Sequence, residues 1–407
     1  MAQLIGGLAT SHIPAIGGAI HKGKQQDPYW KPFFDGFPPI SHWLAQVKPD
    51  TVVVFYNDHG LNFFLDKMPT FAVGAAPEYR NADEGWGIPT TAPLPGNLDL
   101  SWHLINHLIE REFDIVTCQE MLIDHACTLP FKLFWPGHEV APVKIVPINI
   151  NTVQFPLPTA RRVYKLGQAV GEAIRAWDSS ERVVVLGTGG LSHQLEGERA
   201  GFINKRFDLQ FLDSMESNPE WATQFSDLEL VEKAGTQGVE LLNWLAMRGA
   251  VSAGGASVKK VHGNYHIPIS NTATGLLALE VAVRRAEVVR RLVLCAGGPA
   301  LDAQAVAHLS GMEITSAAPF ESVLKALEAA WAVQQQKQSQ QQQQQTLPAA
   351  ALQSAATPPL LYLPASLPAS LPACSPASPT RMPPAHTPAC STCSATATSS
   401  LHLTHNP

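Results

Sequence analysis

Residues 51–59 read Thr51-Val-Val-Val-Phe-Tyr-Asn-Asp-His59, an apolar, β-branched run that passes directly into polar residues. Short runs of this kind suit strands that are buried on both faces of a sheet. Residues 143–150 and 182–186 have the same character, and segments with apolar residues at helical spacing, such as 161–177, lie between such runs. This alternation predicts an α/β fold, with one domain built on a central mixed β-sheet that is flanked by helices.

The composition changes abruptly after about residue 331. Residues 334–345 are almost all glutamine, and the sequence from there to Pro407 is rich in proline, alanine, serine and threonine. Such sequence offers too little apolar surface to offset the entropy of the chain, so we expect residues 332–407 to form a disordered tail. Residues 281–331 mix basic and apolar positions, and we expect a peripheral helical extension there. The α/β domain should therefore occupy residues 1–280.

The charge and the cysteine content exclude several classes of function. The formal net charge of −6 gives no electrostatic footprint for nucleic acid and disfavours an acidic membrane surface. No apolar run approaches the roughly 18 residues that can span a bilayer, and the first ten residues lack the basic start of a signal peptide. Six cysteines in 407 residues do not make a disulfide framework. We therefore expect a cytoplasmic protein without nucleic-acid or membrane partners.

Three predicted strands end in segments that carry a histidine. The first runs into Ser11-His12, the second into Asp58-His59, and the third into Gly187-Thr-Gly-Gly-Leu-Ser-His193. In α/β proteins, ligand sites gather just beyond the carboxyl ends of strands. One histidine at such a place is more often a hydrogen-bonding residue than a ligand, but three are hard to explain without a shared site. The pattern predicts that His12, His59 and His193 meet in one pocket.

The segment Gly187-Thr-Gly-Gly190 could be mistaken for a phosphate-binding loop. It lacks the spacing of the dinucleotide fingerprint and the Lys-Ser/Thr of a P-loop. We interpret its glycines as a tight turn that aims His193 into the pocket. A fourth candidate histidine is His125, in Asp124-His-Ala-Cys-Thr128. Cys127 has no base assigned to it, and we interpret it as a buried thiol.

The histidines raise the question of a metal and its third ligand. Two imidazoles and one carboxylate on one face of a metal form the ligand set of non-haem Fe(II) oxygenases, and the same set suits catalytic zinc. Asp58 adjoins His59, but successive residues of a strand point to opposite faces. Glu240 begins an apolar helical stretch, where the helix dipole alone would explain an acid. From the residues alone, both the carboxylate and the metal stay open.

Several segments together carry a resemblance to a known family. They are Thr10-Ser-His-Ile-Pro-Ala15, Tyr56-Asn-Asp-His59, Ala82-Asp-Glu-Gly-Trp-Gly87, Gly187-Thr-Gly-Gly-Leu-Ser-His-Gln194, Arg199-Ala-Gly-Phe-Ile-Asn-Lys205, Gly238-Val-Glu240 and His266-Ile-Pro-Ile-Ser-Asn-Thr-Ala273. In this order and spacing the chain resembles the class III extradiol (LigB-type) dioxygenases, and among them the β subunits that open protocatechuate. The resemblance covers residues 6–279, and it implies that residues 1–280 are a catalytic extradiol dioxygenase domain.

The resemblance implies a ligand set and a reaction. It implies that His12, His59 and Glu240 bind Fe(II), which favours Glu240 over Asp58 and iron over zinc. The implied reaction is the meta cleavage of a catechol-type aromatic acid by O₂, with protocatechuate 4,5-cleavage as the first expectation. Gallate or another catechol is the alternative substrate. From other classes, a zinc-dependent hydrolase and a non-catalytic binding relative remain the rival interpretations.

Further residues and partners are implied in the same way. His193 is implied to be the catalytic acid–base, and His125 and Ser270 are implied to line the substrate pocket. Protocatechuate enzymes of this family pair the catalytic subunit with a small helical α subunit that covers the active site. Residues 281–407 contain no convincing α-like segment. We therefore expect a separate α subunit, a homodimer, or an uncovered enzyme with altered specificity.

Overall fold

The computed structural model describes residues 1–85, 88–269, 271–284 and 313–314 of the chain. Its strands are β1 (Gln3–Thr10), β2 (Thr51–Tyr56), β3 (Phe71–Gly74), β4 (Glu78–Asn81), β5 (Leu94–Pro95), β6 (Val116–Cys118), β7 (Leu122–Ile123), β8 (Lys144–Ile150), β9 (Arg182–Thr188), β10 (Ser257–Ile269), β11 (Thr272–Arg284) and β12 (Glu313–Ile314). Its helices are α1 (Pro14–His21), α2 (Lys31–Phe34), α3 (Pro38–Val47), α4 (Leu98–Glu110), α5 (His125–Phe134), α6 (Ala160–Ala176), α7 (Lys205–Ser217), α8 (Asp227–Ala234) and α9 (Leu241–Ser252), with 3-10 turns at Trp221–Gln224, Gly238–Glu240 and Ala253–Gly255.

A large mixed sheet forms the centre of the described residues. Its strands follow the order β10-β11-β1-β9-β2-β8-β3-β6, and β12 pairs with the outer part of β11. The central strands β1, β9, β2 and β8 run parallel, whereas β11 and β3 pair antiparallel with their inner neighbours. The strands β5, β4 and β7 form a separate small sheet. The predicted central mixed sheet with flanking helices is confirmed.

The β-branched runs are buried on both faces, as their composition requires. In β2, Val53 and Phe55 face the core cluster formed with α4, α6 and α9, while Val52 and Val54 face the cluster formed with α3 and α5. All four side chains are fully buried. Successive residues of a strand point to opposite faces of the sheet, and here a layer of helices covers each face.

The helices α6 and α9 pack with their backbones in near contact. A Cβ atom on Gly167 would lie 2.0 Å from the carbonyl oxygen of Ala246, and one on Gly171 would lie 2.1 Å from that of Ala250. Gly249 of α9 approaches the backbone of α6 equally closely, at Tyr164. Only glycine allows this separation, because any Cβ would overlap a main-chain atom.

The parallel strands bring their carboxyl ends to one edge of the sheet. β9 lies between β1 and β2, and Thr10 of β1 is aligned with Thr188 of β9. The segments that follow these three strands therefore start side by side. Among the described residues no helix combines the length and the apolar character needed to cross a membrane.

Two parts of the predicted domain organisation lie mostly outside the described residues. Of the predicted helical extension, 281–331, the structure describes the end of β11 and the two residues of β12. The predicted disordered tail, 332–407, lies entirely outside them.

Candidate functional site

His12 follows β1 by two residues, and its side chain is almost fully buried. Its Nδ1 lies 3.1 Å from Oγ1 of Thr188, the last residue of β9. Its Nε2 is buried and has no hydrogen-bond partner. Burial lowers the pKa of the ring, although Glu240 opposes that shift. A buried imidazole nitrogen that makes no hydrogen bond is unusual in a folded protein, which makes His12 Nε2 a candidate metal ligand.

His59 follows β2 by three residues and is oriented by a carboxylate. Asp124 accepts hydrogen bonds from the backbone N–H and from Nδ1–H of His59, both at 3.0 Å. This leaves Nε2 as the nitrogen that faces Glu240. Burial opposes the charged ring, but Asp124 and Glu240 outweigh it and raise the pKa of His59 to about 10. For Asp124, burial is outweighed by His59, which lowers the pKa to about 2.

Glu240 ends the 3-10 turn that precedes α9, and its carboxylate lies between the two histidines. Its Oε1 is 3.4 Å from His12 Nε2 and 3.5 Å from His59 Nε2. Its Oε2 accepts a hydrogen bond from the backbone N–H of Gly190 at 2.7 Å. Burial alone would raise the pKa of Glu240, but the neighbouring histidines hold it well below its usual value. The group is therefore an ionised carboxylate facing two imidazole nitrogens.

Asp58, the other candidate carboxylate, is used elsewhere. Its oxygens accept hydrogen bonds from the backbone N–H groups of Leu61, Asn62 and Phe63, at 2.8 to 3.2 Å. The Asn62 side chain adds another at 2.7 Å. Asp58 thus shapes the loop after β2. Strand alternation does not decide between Asp58 and Glu240, because Asp58 and His59 both lie beyond the end of β2.

The chemistry of these donors fits a divalent metal ion. Two imidazole nitrogens and one carboxylate oxygen converge from three separate segments, and His12 Nε2 makes no hydrogen bond. Ligating histidines commonly donate their other N–H to a carboxylate or hydroxyl, as His59 and His12 can do here. Ring nitrogens of His12, His59 and His125 also lie within 4.8 Å of one another, so a third imidazole adjoins the same place.

His193 and His125 line the same cavity as these ligands. His193 is buried and donates from Nδ1 to the carbonyl oxygen of Leu191 at 2.7 Å, and its Nε2 lies 4.0 Å from Glu240 Oε2. His125 is the first residue of α5, and its ring centre is 4.4 Å from that of His59. We call these five residues the strand-end cluster: His12, His59, His125, His193 and Glu240.

The strand-end cluster lines an open cavity of about 860 Å³. Apolar side chains of Val153, Phe155 and Leu195 stand at its walls and are about half exposed. All predicted metal ligands, together with His193 and His125, line this one cavity. Ser270, the remaining predicted site residue, lies outside the described residues.

The sequence also matches the profile of a known protein family. The profile described as "Catalytic LigB subunit of aromatic ring-opening dioxygenase" matches residues 6–275. That is about two thirds of the chain. The chain belongs to the LigB family.

Relatives of this LigB chain include a gallate dioxygenase of Pseudomonas putida KT2440, which is 39% identical over 49% of this chain and 57% of its own length. A 2,3-dihydroxyphenylpropionate/2,3-dihydroxicinnamic acid 1,2-dioxygenase of Photorhabdus laumondii is 34% identical over 46% of this chain and 55% of its own length. A protein of the same name from Dechloromonas aromatica is 29% identical over 56% of this chain and 84% of its own length. The chain thus spans little more than half of the first two relatives.

A crystal structure of the uncharacterized Escherichia coli K12 protein JW3007 aligns with 68% of this chain and 99% of its own length, at 14% identity and a TM-score of 0.41. This likeness is too distant to carry an argument.

Several residues that support the site in this LigB chain were not assigned from the sequence. Asn57 lies 3.3 Å from Glu240 through its amide nitrogen, and Asn243 fixes that orientation by donating to the amide oxygen of Asn57 at 2.9 Å. Asp124 had a usable signal, because an acid directly before a predicted helix is a typical N-cap and Asp124 caps α5. Cys127 is fully buried with its pKa raised well above the ordinary value, so it stays a protonated thiol.

Proposed function

We propose that the chain is a non-haem Fe(II)-dependent extradiol dioxygenase that opens a catechol-type aromatic acid with O₂. The observation that carries this proposal is the approach of one Glu240 oxygen to the Nε2 atoms of both His12 and His59. Membership of the LigB family supports the reaction class, as do relatives named as gallate and dihydroxyphenylpropionate dioxygenases.

In this proposal His12, His59 and Glu240 hold the iron. When bound, Fe(II) in such a set supplies open coordination positions and acidifies a coordinated hydroxyl group. Thr188 and Asp124 keep the Nδ1 side of each imidazole occupied, so both rings present Nε2 inward. The Gly190 N–H and the Asn57 amide hold the Glu240 carboxylate in place. The ligands are therefore oriented before any metal arrives.

His193 acts as the acid–base group. Because a carbonyl oxygen only accepts hydrogen bonds, the contact with Leu191 places the proton of the neutral ring on Nδ1. The free Nε2 faces the cavity and can take a proton from a catechol hydroxyl, then return it later in the reaction. The ring lies beside Glu240 rather than between the histidine ligands, which suits a proton carrier better than a metal ligand.

The proposal also covers the substrate and the subunit assembly. We take protocatechuate, cut at the 4,5 bond, as the first substrate, with Ser270 and His125 at the substrate, and gallate as the alternative. The cavity is larger than one aromatic ring requires, so a substituted catechol fits it. A separate small α subunit and a homodimer are the two proposed assemblies.

Anaerobic metal loading with an oxygen electrode tests this function. The full chain is loaded with Fe(II) or Zn(II), and O₂ uptake is followed with protocatechuate, gallate and 3-(2,3-dihydroxyphenyl)propionate. We expect O₂ uptake and a ring-opened, yellow product only with the Fe(II)-loaded protein, and neither with the Zn(II)-loaded protein. Absence of uptake on every catechol at full iron occupancy would refute the proposal, and ester or amide hydrolysis by the Zn(II) protein would favour the hydrolase.

A further inference from the structure

Glu84 accepts two hydrogen bonds from His125. Neither the family profile nor the mechanism proposed above assigns a role to Glu84. One carboxylate oxygen, Oε2, accepts from the backbone N–H of His125 at 2.6 Å. The other, Oε1, accepts from Nδ1 of the same residue at 2.7 Å. The His125 side chain is 4% exposed and that of Glu84 is 15% exposed, so both hydrogen bonds are shielded from water.

This contact determines where the proton of a neutral His125 ring lies. A carboxylate is only an acceptor, so the short contact requires the proton on Nδ1. The backbone N–H anchors the second oxygen, and the carboxylate therefore cannot turn away from the ring. His125 lines the cavity next to His59, so its free nitrogen, Nε2, is the one available to a ligand.

We propose that Glu84 is a positioning residue that fixes His125 in the Nδ1–H form, so that its Nε2 accepts a hydrogen bond from a hydroxyl group of the substrate. His193 is held in the same form by the Leu191 carbonyl oxygen. The cavity then offers two imidazole acceptors, and a catechol has two hydroxyl donors. The inference about the substrate contact rests on the proposed function, whereas the proton position in His125 does not.

The substitution Glu84→Gln isolates this role because it keeps the size of the side chain and changes one acceptor into a donor. The backbone N–H of His125 can only donate, so it retains the amide oxygen. The amide NH₂ group then faces Nδ1, which can accept only if the ring proton moves to Nε2. The variant should therefore present an N–H to the cavity where the native protein presents a lone pair.

The proton position is read directly by long-range ¹H–¹⁵N spectra of the imidazole rings. The full-length chain is labelled at histidine and studied metal-free and with diamagnetic Zn²⁺, and the His125 signals are assigned from their loss in His125→Asn. We expect the Nδ1–H pattern in the native chain and in Glu84→Asp, and the Nε2–H pattern in Glu84→Gln. An Nδ1–H pattern that persists in Glu84→Gln would overturn the proposal.

Steady-state kinetics of the iron-loaded proteins test the substrate contact. We expect Glu84→Gln to raise KM for the catechol about tenfold, the loss of one hydrogen bond, with kcat changed less and iron content unchanged. Glu84→Asp should recover most of the native KM. The matched control is Glu78→Gln, the same substitution at an exposed glutamate of β4 outside the cavity, with native kinetics expected. If Glu84→Gln behaves like Glu78→Gln while the native enzyme is active, the inference fails; if the native enzyme opens no catechol, the proposed function fails instead.

Discussion

The α6–α9 interface and the strand-end cluster differ in how closely the protein fills them, because the helices meet in main-chain contact whereas the cluster lines an open cavity. Between the helices, Gly167 and Gly171 bring main-chain atoms together so closely that no side-chain atom fits. In the cluster, His12 keeps a buried ring nitrogen that no protein group satisfies. The first region is filled by the protein itself, whereas the second leaves open space beside the proposed metal ligands. Substitutions in the first should therefore cost folding, and substitutions in the second should cost function.

The largest effect should follow from filling the helix interface. Gly167→Ala places a Cβ 2.0 Å from the carbonyl oxygen of Ala246, so the helices must separate. We expect the free energy of unfolding to fall by about 3 kcal/mol, at the upper end of overpacking costs. Denaturant unfolding measures this. Gly18→Ala is the control, because a Cβ at that helical position meets open space, and equal stability of the two variants would contradict the interface argument.

The next effect should be complete loss of the metal with the fold retained. Glu240→Ala or His12→Ala removes a group that meets the proposed metal, so we expect neither bound iron nor turnover, while unfolding stays cooperative. Asp58→Asn is the matched acid substitution, and it should keep the iron because Asp58 bonds to the loop after β2. Metal analysis and circular dichroism measure both properties. Full iron in Glu240→Ala, with loss of iron in Asp58→Asn, would reverse the assignment of the two carboxylates.

The residues of the strand-end cluster differ in how well the sequence alone predicts their positions. The strand-end histidines were predictable because β1, β9 and β2 are short apolar runs, and parallel strands bring their ends together. Strand alternation did not apply to Asp58, because Asp58 and His59 lie beyond the end of β2. Glu240 could not be found by local reasoning, because it comes from a turn before α9 and reaches the strand ends only through the tertiary fold. The resemblance to LigB-type dioxygenases was needed to point to it.

The carboxylate partners of the histidines were beyond local reasoning for the same reason. Asp124 contacts His59 across 65 residues, and Glu84 contacts His125 across 41 residues. No periodicity or spacing encodes such a hydrogen bond, because it depends on how separate loops pack at one edge of the sheet. The tight α6–α9 contact was equally hidden, since a glycine in a helix pattern does not reveal which backbone approaches it.

A smaller effect should separate a proton carrier from a ligand within the cluster. His193→Phe fills the same space without a titratable group, so iron and catechol binding should persist while kcat falls by about 10²–10⁴-fold. Iron content, the spectral change on adding substrate, and kcat are the measurements. Loss of iron would instead place His193 among the ligands, and an unchanged kcat would make His125 the better candidate for the base.

A still smaller effect should follow from weakening the hydrogen bond between Asp124 and His59, a proposed metal ligand. Asp124→Asn keeps the shape but removes the charge that orients His59, so we expect metal affinity to fall by about 10–100-fold without loss of the site. Competition with a chelator measures the affinity. An affinity equal to that of the native chain would show that Asp124 serves only as the cap of α5.

The same pair gives a pH dependence in the metal-free protein. The pKa of Asp124 is lowered from 3.8 to about 2, so its contribution to stability is present above 3.8 and is lost as the pH falls toward 2. The pKa of His59 is raised from 6.5 to about 10, so its contribution is full below 6.5 and is lost as the pH rises through 10. The stability difference between the native chain and Asp124→Asn should therefore be largest between about pH 4 and pH 6.5. A difference that is flat from pH 3 to pH 10 would contradict the ion pair.

The smallest effect should come from removing the tail. Residues 332–407 have the composition of a chain that cannot bury enough apolar surface to fold. Truncation after Trp331 keeps β12, which pairs with Val283 and Arg284 of β11, so stability and turnover should stay close to those of the full chain. Truncation after Arg284 is the informative comparison, because it removes β12 and exposes the outer part of β11, and it should lower the melting temperature. A soluble protein ending at Trp331 that has lost most of its turnover would show that the tail completes the cavity, and the strand-end cluster would then depend on more of the chain than its metal ligands and their partners.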